Sequence, residues 1–200
     1  QEKLQEISTD VFATYGMTET ITHIAVKKLN NFIAIKQKPS INNEIASLKK
    51  VRKDEFYTIL PNVTIYKDER NCLVIAAPKV SDEIIFTNDV VNLISDTQFE
   101  WLGRFDNVIN SGGIKLHPEK IEEKLAKIIQ NRFFVAGIPN EKLGEKLVLV
   151  VEGNQHKINI ESAQLSKFET PKEIYFLNNF VETASAKIQR KKTFAKIFPK

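Results

Sequence analysis

The segment LGRFDNVINSGGIKLHPEKIE, residues 102–122, is where the character of the chain changes. Val108 and Ile109 lead into the pair Gly112-Gly113, which most often marks a turn. His117-Pro118 then opens a helix, because proline suits the first helical position, where its missing N–H has no partner to lose. Ile121, Leu125, Ile128 and Ile129 follow at i, i+4, i+7 and i+8, one face of a 3.6-residue period. Glu119, Glu122 and Glu123 load the electropositive start of that helix, and Lys124 and Lys127 come after them. The spacing predicts an amphipathic helix.

Downstream, Phe133 to Ile138 and Leu147 to Val151 read as strands joined by the polar loop Pro139 to Lys146. Ile160 to Lys167 reads as a weaker helix and Ile174 to Leu177 as another strand. Upstream, Val63 and Ile65 alternate with Thr64 and Tyr66, Lys67 to Asn71 offers a turn, and Leu73 to Ala76 is apolar again, which predicts a hairpin. Ile84 to Phe86, Val90 to Ile94 and Phe99 to Leu102 read as further strands parted by turn signals at Asn88-Asp89 and Ser95-Asp96. Lys36 to Asn43 is polar and reads as a loop. The fold class expected is α+β: a β-rich, barrel-like region, then a small α+β unit.

Composition narrows the function. The chain has 200 residues, net charge +4, 42% hydrophobic and 27% charged residues, so it can bury one full core or two smaller ones. Its apolar runs, Cys72 to Ala77 and Leu147 to Val151, fall far short of the roughly 20 residues that cross a bilayer. The lone Cys72 cannot form an internal disulfide and reads as a core residue in a reducing compartment. No apolar leader opens the sequence, and a cytoplasmic location is expected. Because Gln1 is not an initiator methionine, the chain is expected to begin within a longer protein. His23, His117 and His156 stand too far apart for a zinc motif. Lys187, Arg190, Lys191, Lys192, Lys196 and Lys200 make a basic end, but no aromatic ladder accompanies it, so nucleic acid is not expected as a partner.

Two more segments carry chemistry. Tyr15-Gly16-Met17-Thr18-Glu19-Thr20 sets an aromatic ring, a glycine, a hydroxyl and a carboxylate within five positions: a face for a base, a close backbone approach, a phosphate donor and an oxygen ligand for Mg²⁺. Thr183-Ala184-Ser185-Ala186-Lys187-Ile188-Gln189-Arg190 carries Lys187 in its middle. In this order and at these separations, the three segments resemble the C-terminal part of the adenylate-forming acyl-CoA synthetase superfamily. The resemblance runs from about Thr9 to Arg190. The wording YGMTET-ITHIA and VINSGGIKLHPEKIE is further similar to bacterial o-succinylbenzoate-CoA ligases of menaquinone biosynthesis, with other small-acid or fatty acyl-CoA synthetases and carrier-loading adenylation domains as alternatives.

That resemblance implies roles residue by residue. Tyr15 would stack on adenine, Gly16 would let the backbone approach the nucleotide, Thr18 would touch the α-phosphate and Glu19 would hold a Mg²⁺ ion. Asp89, in Thr87-Asn88-Asp89 where the family usually has Thr-Gly-Asp, would accept hydrogen bonds from the ribose hydroxyls, and Arg104 would reach the ribose too. Asn at 88 is compatible with the positive φ a glycine would supply. Asp106 would be the hinge between residues 1–105, the end of a large AMP-binding domain, and residues 106–200, a small mobile domain. Gly112, Gly113 and Lys115 would line the CoA channel. Lys187 would be the catalytic lysine, although Val181 and Ala186 stand where the family has Pro and Gly. ATP, Mg²⁺, CoA and a small carboxylic acid are the implied cofactor and substrates. The phosphate loop and most of the acid pocket would lie upstream, so the 200 residues alone are expected to be inactive.

Overall fold

In a computed structural model of the chain, the described residues are 7, 9–20, 22–30 and 56–198. The loop expected at 36–43 lies outside them. The chain divides into two compact units, Gln1–Trp101 and Leu102–Lys200.

Alternating and β-branched residues give the first unit its strands. They are β1 (Phe12–Gly16), β2 (His23–Lys28), β3 (Tyr57–Ile59), β4 (Thr64–Lys67), β5 (Cys72–Ala76), β6 (Ile85–Ser95) and β7 (Gln98–Arg104). They form one sheet in the order β1-β2-β3-β7-β6-β5-β4. Since β1 and β4 stand at its two edges, the sheet is open among the described residues, a correction to the barrel-like expectation. The hairpin expected over Val63 to Ala76 is β4–β5, pairing Ile65 with Ile75 and Lys67 with Leu73. Asp68 shapes its turn: one carboxylate oxygen accepts the N–H groups of Arg70 and Cys72 at 2.8 and 2.9 Å. Leu73, Ile75, Ile85, Val91 and Phe99 pack with Ile24 and Ile65 into the core of this unit, and Cys72 is fully buried, as its sequence context predicted.

A second correction concerns Asn88-Asp89. These residues do not end a strand; they lie inside the eleven-residue β6. Cys72 pairs with Val90 and Val74 with Phe86, so Leu73 on β5 faces three residues, Thr87 to Asp89. The turn signal is a bulge. Asn88 is not among the residues with positive φ, so no left-handed residue is needed there.

The second unit follows the expected pattern with shifted boundaries. The hairpin β8 (Ile109–Ser111) and β9 (Ile114–Leu116) turns through Gly112 and Gly113, at φ 59° and 80°. Two consecutive positive φ angles are what a two-residue type I′ turn requires, and glycine meets that without strain. Helix α1 (Pro118–Leu125) starts on its proline and buries Ile121 and Leu125, with Ile129 just beyond. β10 (Phe133–Asn140) and β11 (Gly144–Glu152) form a longer hairpin than expected, because the Asn140 side chain accepts the N–H groups of Lys142 and Leu143 and closes the turn early. β12 (Glu173–Leu177) pairs parallel to β11. The helix expected over Ile160 to Lys167 is only a single 3₁₀ turn, Ile160–Ala163, stopped by Gln164 in the left-handed region. Strands outnumber helices throughout, so the α+β label holds only loosely.

β11 is buried on both faces, which organises this unit. Leu147, Leu149 and Val151 point toward α1, joining Ile109, Leu116, Ile121 and Leu125. Val150 points the other way and meets Phe134 and Phe180, with Ile188 and Phe194 of the C-terminal segment against them. Fully burying such a side chain is worth about 1.5–3 kcal/mol; the partly buried Ile188 and Phe194 gain a share of that, which ties down the Lys187 loop on its C-terminal side.

Candidate nucleotide site

Tyr15 and Asp89, 74 positions apart, meet in the first unit: the Tyr15 hydroxyl donates a 2.5 Å hydrogen bond to Oδ2 of Asp89. The phenol ring is set edge-on against Tyr57 and Phe99, at centroid distances of 5.6 and 5.2 Å. Tyr57 and Phe99 stack on one another in turn. Asp89 is only 6% exposed, on the β6 bulge, and its N–H donates to the Thr87 hydroxyl. A carboxylate this buried needs fixed donors, and the tyrosine is one.

Thr18 and Glu19 sit exposed on the 3₁₀ turn Thr18–Thr20 that leaves β1. The turn is tied from beneath by Thr20, which is fully buried. Its hydroxyl accepts the Met17 N–H at 3.0 Å and lies within donor reach of the Met17 and Thr22 carbonyls at 2.9 and 2.7 Å. Gly16 has a reason of its own. A Cβ there would stand 2.5 Å from the Thr22 carbonyl oxygen, so the glycine admits the returning backbone at a bulge between β1 and β2. The oxygen donors of Thr18 and Glu19 suit a hard cation such as Mg²⁺ and a phosphate. Among the described residues, no three His, Cys, Asp or Glu side chains gather as a metal cluster.

In the second unit, Arg104 is exposed and precedes the 3₁₀ turn Phe105–Asn107, which carries Asp106. Gly103, at φ 148°, lies against Glu119, whose carboxylate also accepts the Asn107 side-chain N–H at 2.6 Å. Asp106, Asn107, Phe134, Glu145 and Arg190 contribute to the lining of a cleft of about 180 Å³. The Gly112 N–H donates to the Leu143 carbonyl at 2.8 Å, which fixes the glycine turn, and Lys115 is exposed on β9.

Lys187 is exposed at the end of a tight loop. Its N–H donates to the Thr183 hydroxyl, the Thr183 N–H donates back to the Lys187 carbonyl at 2.9 Å, and Glu182 bridges to Ile188. Ala186 takes the left-handed conformation at φ 58°. The alanine thus adopts the shape a glycine would have given and carries the strain of doing so. Three residues on, Arg190 forms a fork with Glu122 of α1, two bonds of 2.8 Å, and Glu122 also accepts the Val135 N–H. Burial pushes the Glu122 carboxyl above its ordinary range, against the opposing pull of Arg190 and the Val135 N–H.

Sequence reasoning missed Thr20, Tyr57, Phe99 and Glu122 as supports of this machinery. Only Thr20 had a local signal, as the second hydroxyl of the Thr18-Glu19-Thr20 run. The others arrive through tertiary contact.

No protein-family model matches the chain. It is 26% identical over 200 residues to the 2-succinylbenzoate–CoA ligase of Lactococcus lactis, covering 95% of this chain and 42% of that protein. Over 115 residues it is 30% identical to the oxalate–CoA ligase of Arabidopsis thaliana, covering 52% of this chain and 22% of that protein. The o-succinylbenzoate CoA synthetase of Bacillus subtilis, solved with its acyl-adenylate intermediate, superposes with a TM-score of 0.70 at 18% identity over 96% of this chain and 42% of that one. The same enzyme solved with ATP and magnesium gives 0.68. Over nearly its whole length the chain is similar to these CoA ligases. It spans about two-fifths of the length of these full-length synthetases. Among the described residues, no helix is long and apolar enough to cross a membrane.

Proposed function

We propose that this chain is the C-terminal part of an AMP-forming acid–CoA ligase, with o-succinylbenzoate as the acid and menaquinone synthesis as its setting. The observation that carries the reading is the Tyr15–Asp89 hydrogen bond, which puts an aromatic ring and a buried carboxylate side by side, one for adenine and one for ribose hydroxyls. The names of the relatives support the choice of acid.

In this reading Asp89 and Arg104 hold the ribose, Tyr15 and Gly16 meet the base, and Thr18 donates to the α-phosphate. Mg²⁺ held by Glu19 would offset phosphate charge. Lys187 lies between the substrate carboxylate and the α-phosphorus, two anionic groups whose repulsion its ammonium offsets as they approach. The second step needs a different surface. Rotation of residues 106–200 about Asp106 withdraws Lys187 and brings the Gly112-Gly113 turn and Lys115 to the CoA thiol, which attacks the acyl carbon and releases AMP. A hinge lets one domain serve two reactions in turn.

The test is a thioesterification assay of the full-length polypeptide that contains this chain, with a panel of carboxylic acids, reading CoA-dependent AMP release. Turnover of o-succinylbenzoate ahead of the others is expected. Good turnover of oxalate or a fatty acid with none of o-succinylbenzoate would retain the ligase and reject the acid, while no AMP release with any acid would reject the ligase.

A further inference from the structure

We propose that Arg70 is a positioning residue for Asp89, acting through Asn88, so that a side-chain clamp fixes the ribose carboxylate in this chain. The inference rests on the reading of Asp89 as the group that holds ribose hydroxyls.

The need for a clamp comes from the bulge. Three residues, Thr87 to Asp89, stand opposite the single residue Leu73, so they lack a regular ladder to fix them. Thr87 anchors the inner side: its hydroxyl donates to the Leu73 carbonyl at 2.7 Å and accepts the Asp89 N–H at 3.0 Å. Arg70 anchors the outer side. Its Nη1 donates to the Asn88 Oδ1 at 2.9 Å and its Nη2 to the Thr87 carbonyl at 3.1 Å, so one guanidinium spans both residues that precede Asp89.

The clamp is itself fixed. Arg70 Nε donates to Oδ2 of Asp68 at 2.8 Å, and Oδ1 of Asp68 accepts the backbone N–H groups of Arg70 and Cys72. Asn71, left-handed at φ 63°, completes the β4–β5 turn. The planar fork of an arginine, tied at one edge, presents its remaining N–H groups in a set direction. A glycine at position 88 would leave that fork only the Thr87 carbonyl, so the Asn88 amide supplies half of the outer anchor. Precision matters because a misplacement of about 1 Å in a binding group costs on the order of a hundredfold in rate.

The test uses the full-length polypeptide that contains this chain. Wild type, Arg70→Met and Asn88→Gly are assayed for pyrophosphate exchange with ATP and with 2′,3′-dideoxyATP, which has no ribose hydroxyls for Asp89 to hold. Arg70→Met is expected to raise the KM for ATP on the order of tenfold while changing the dideoxy nucleotide less than about twofold. Asn88→Gly should do the same in part, and the double variant should be no worse than Arg70→Met, because both remove one clamp. Equal losses with both nucleotides, or no change with either, overturn the proposal. A second measurement guards against a variant that folds poorly: amide exchange at Asp89 in Arg70→Lys and Arg70→Met. Faster exchange there, with the Ile75 amide unchanged, supports the clamp; unchanged exchange at Asp89 rejects it. If wild type shows no exchange with any nucleotide, the ligase reading fails, and the Asp89 amide alone decides whether Arg70 holds the bulge.

Discussion

The Tyr15 hydroxyl donates to Asp89 Oδ2 at 2.5 Å, joining the end of β1 to the bulge of β6. Tyr15→Phe keeps the ring between Tyr57 and Phe99 but removes the donor from a carboxylate that is only 6% exposed. A buried acceptor that loses one bond costs about 1–3 kcal/mol. Urea unfolding of the chain should therefore show a lower midpoint with an unchanged slope. An unchanged midpoint would mean that the bond contributes nothing to the fold.

Gly16→Ala tests the other half of the same turn. The new Cβ would meet the Thr22 carbonyl oxygen at 2.5 Å and the His23 Cα at 3.0 Å, both backbone atoms that cannot swing aside. Overpacking of this kind costs about 1–3 kcal/mol. Gly113→Ala is a control of a different sort, since nothing lies within 4 Å of its Cβ and only the positive φ opposes it. Thermal melts should rank Gly16→Ala as the more damaging change.

What the sequence made legible was local. Proline at the start of α1, the Gly112-Gly113 turn and the β4–β5 hairpin each follow from residues within a few positions, and all three formed. The misreadings came where two distant segments decide the outcome. Asn88-Asp89 has the composition of a turn, yet Leu73 and Val90 lie in strands that continue past it, so the chain bulges instead of reversing. Ile160 to Lys167 reads as a helix, but Gln164 turns left-handed and ends it after one 3₁₀ turn. The site divides in the same way. Tyr15 and Asp89 were nameable by motif and Thr20 by its place in the Thr18-Glu19-Thr20 run, whereas Tyr57, Phe99 and Arg70 serve it through contacts that no local spacing announces.

The fork between Arg190 and Glu122 gives the second unit a pH signature. Burial raises the Glu122 carboxyl above its ordinary value near 4.5. The folded chain then binds that proton more tightly than the unfolded one, so this contribution to stability is fully present below the ordinary value. It declines as pH rises through the folded value. Glu122→Gln removes that dependence: wild type minus variant stability should fall as pH rises through the range just above 4.5. Arg190→Met should extend the decline to higher pH by removing the charge that favours the ionised form. With the pair 18% and 29% exposed, the loss at neutral pH is about 1–3 kcal/mol, below the 3–5 expected of a fully buried pair. A flat difference across this range would contradict the raised value.

Ala186 at φ 58° predicts a stabilising substitution. An alanine in the left-handed region costs about 1–2 kcal/mol, and a glycine avoids that while losing about 0.5–1 kcal/mol more chain entropy on folding. The net gain for Ala186→Gly is therefore on the order of 0.5–1 kcal/mol, read as a higher urea midpoint. A loss of stability instead would place the strain elsewhere in the Thr183–Lys187 loop.

Lys187→Ala separates the fold from the chemistry. The side chain is exposed and the loop is held by backbone groups and the Thr183 hydroxyl, so stability should change by less than about 0.5 kcal/mol. Its proposed task is confined to the first reaction, where the ammonium sits between two anions, so the full-length polypeptide should lose acyl-adenylate formation by at least about a hundredfold. Thioester formation from supplied acyl-adenylate and CoA should stay within a few fold, because the proposed rotation would have withdrawn the lysine by then. Two assays on one preparation decide the matter. Equal loss in both steps would assign Lys187 to a shared structural or binding role, and retention of both would move the catalytic charge to another cation.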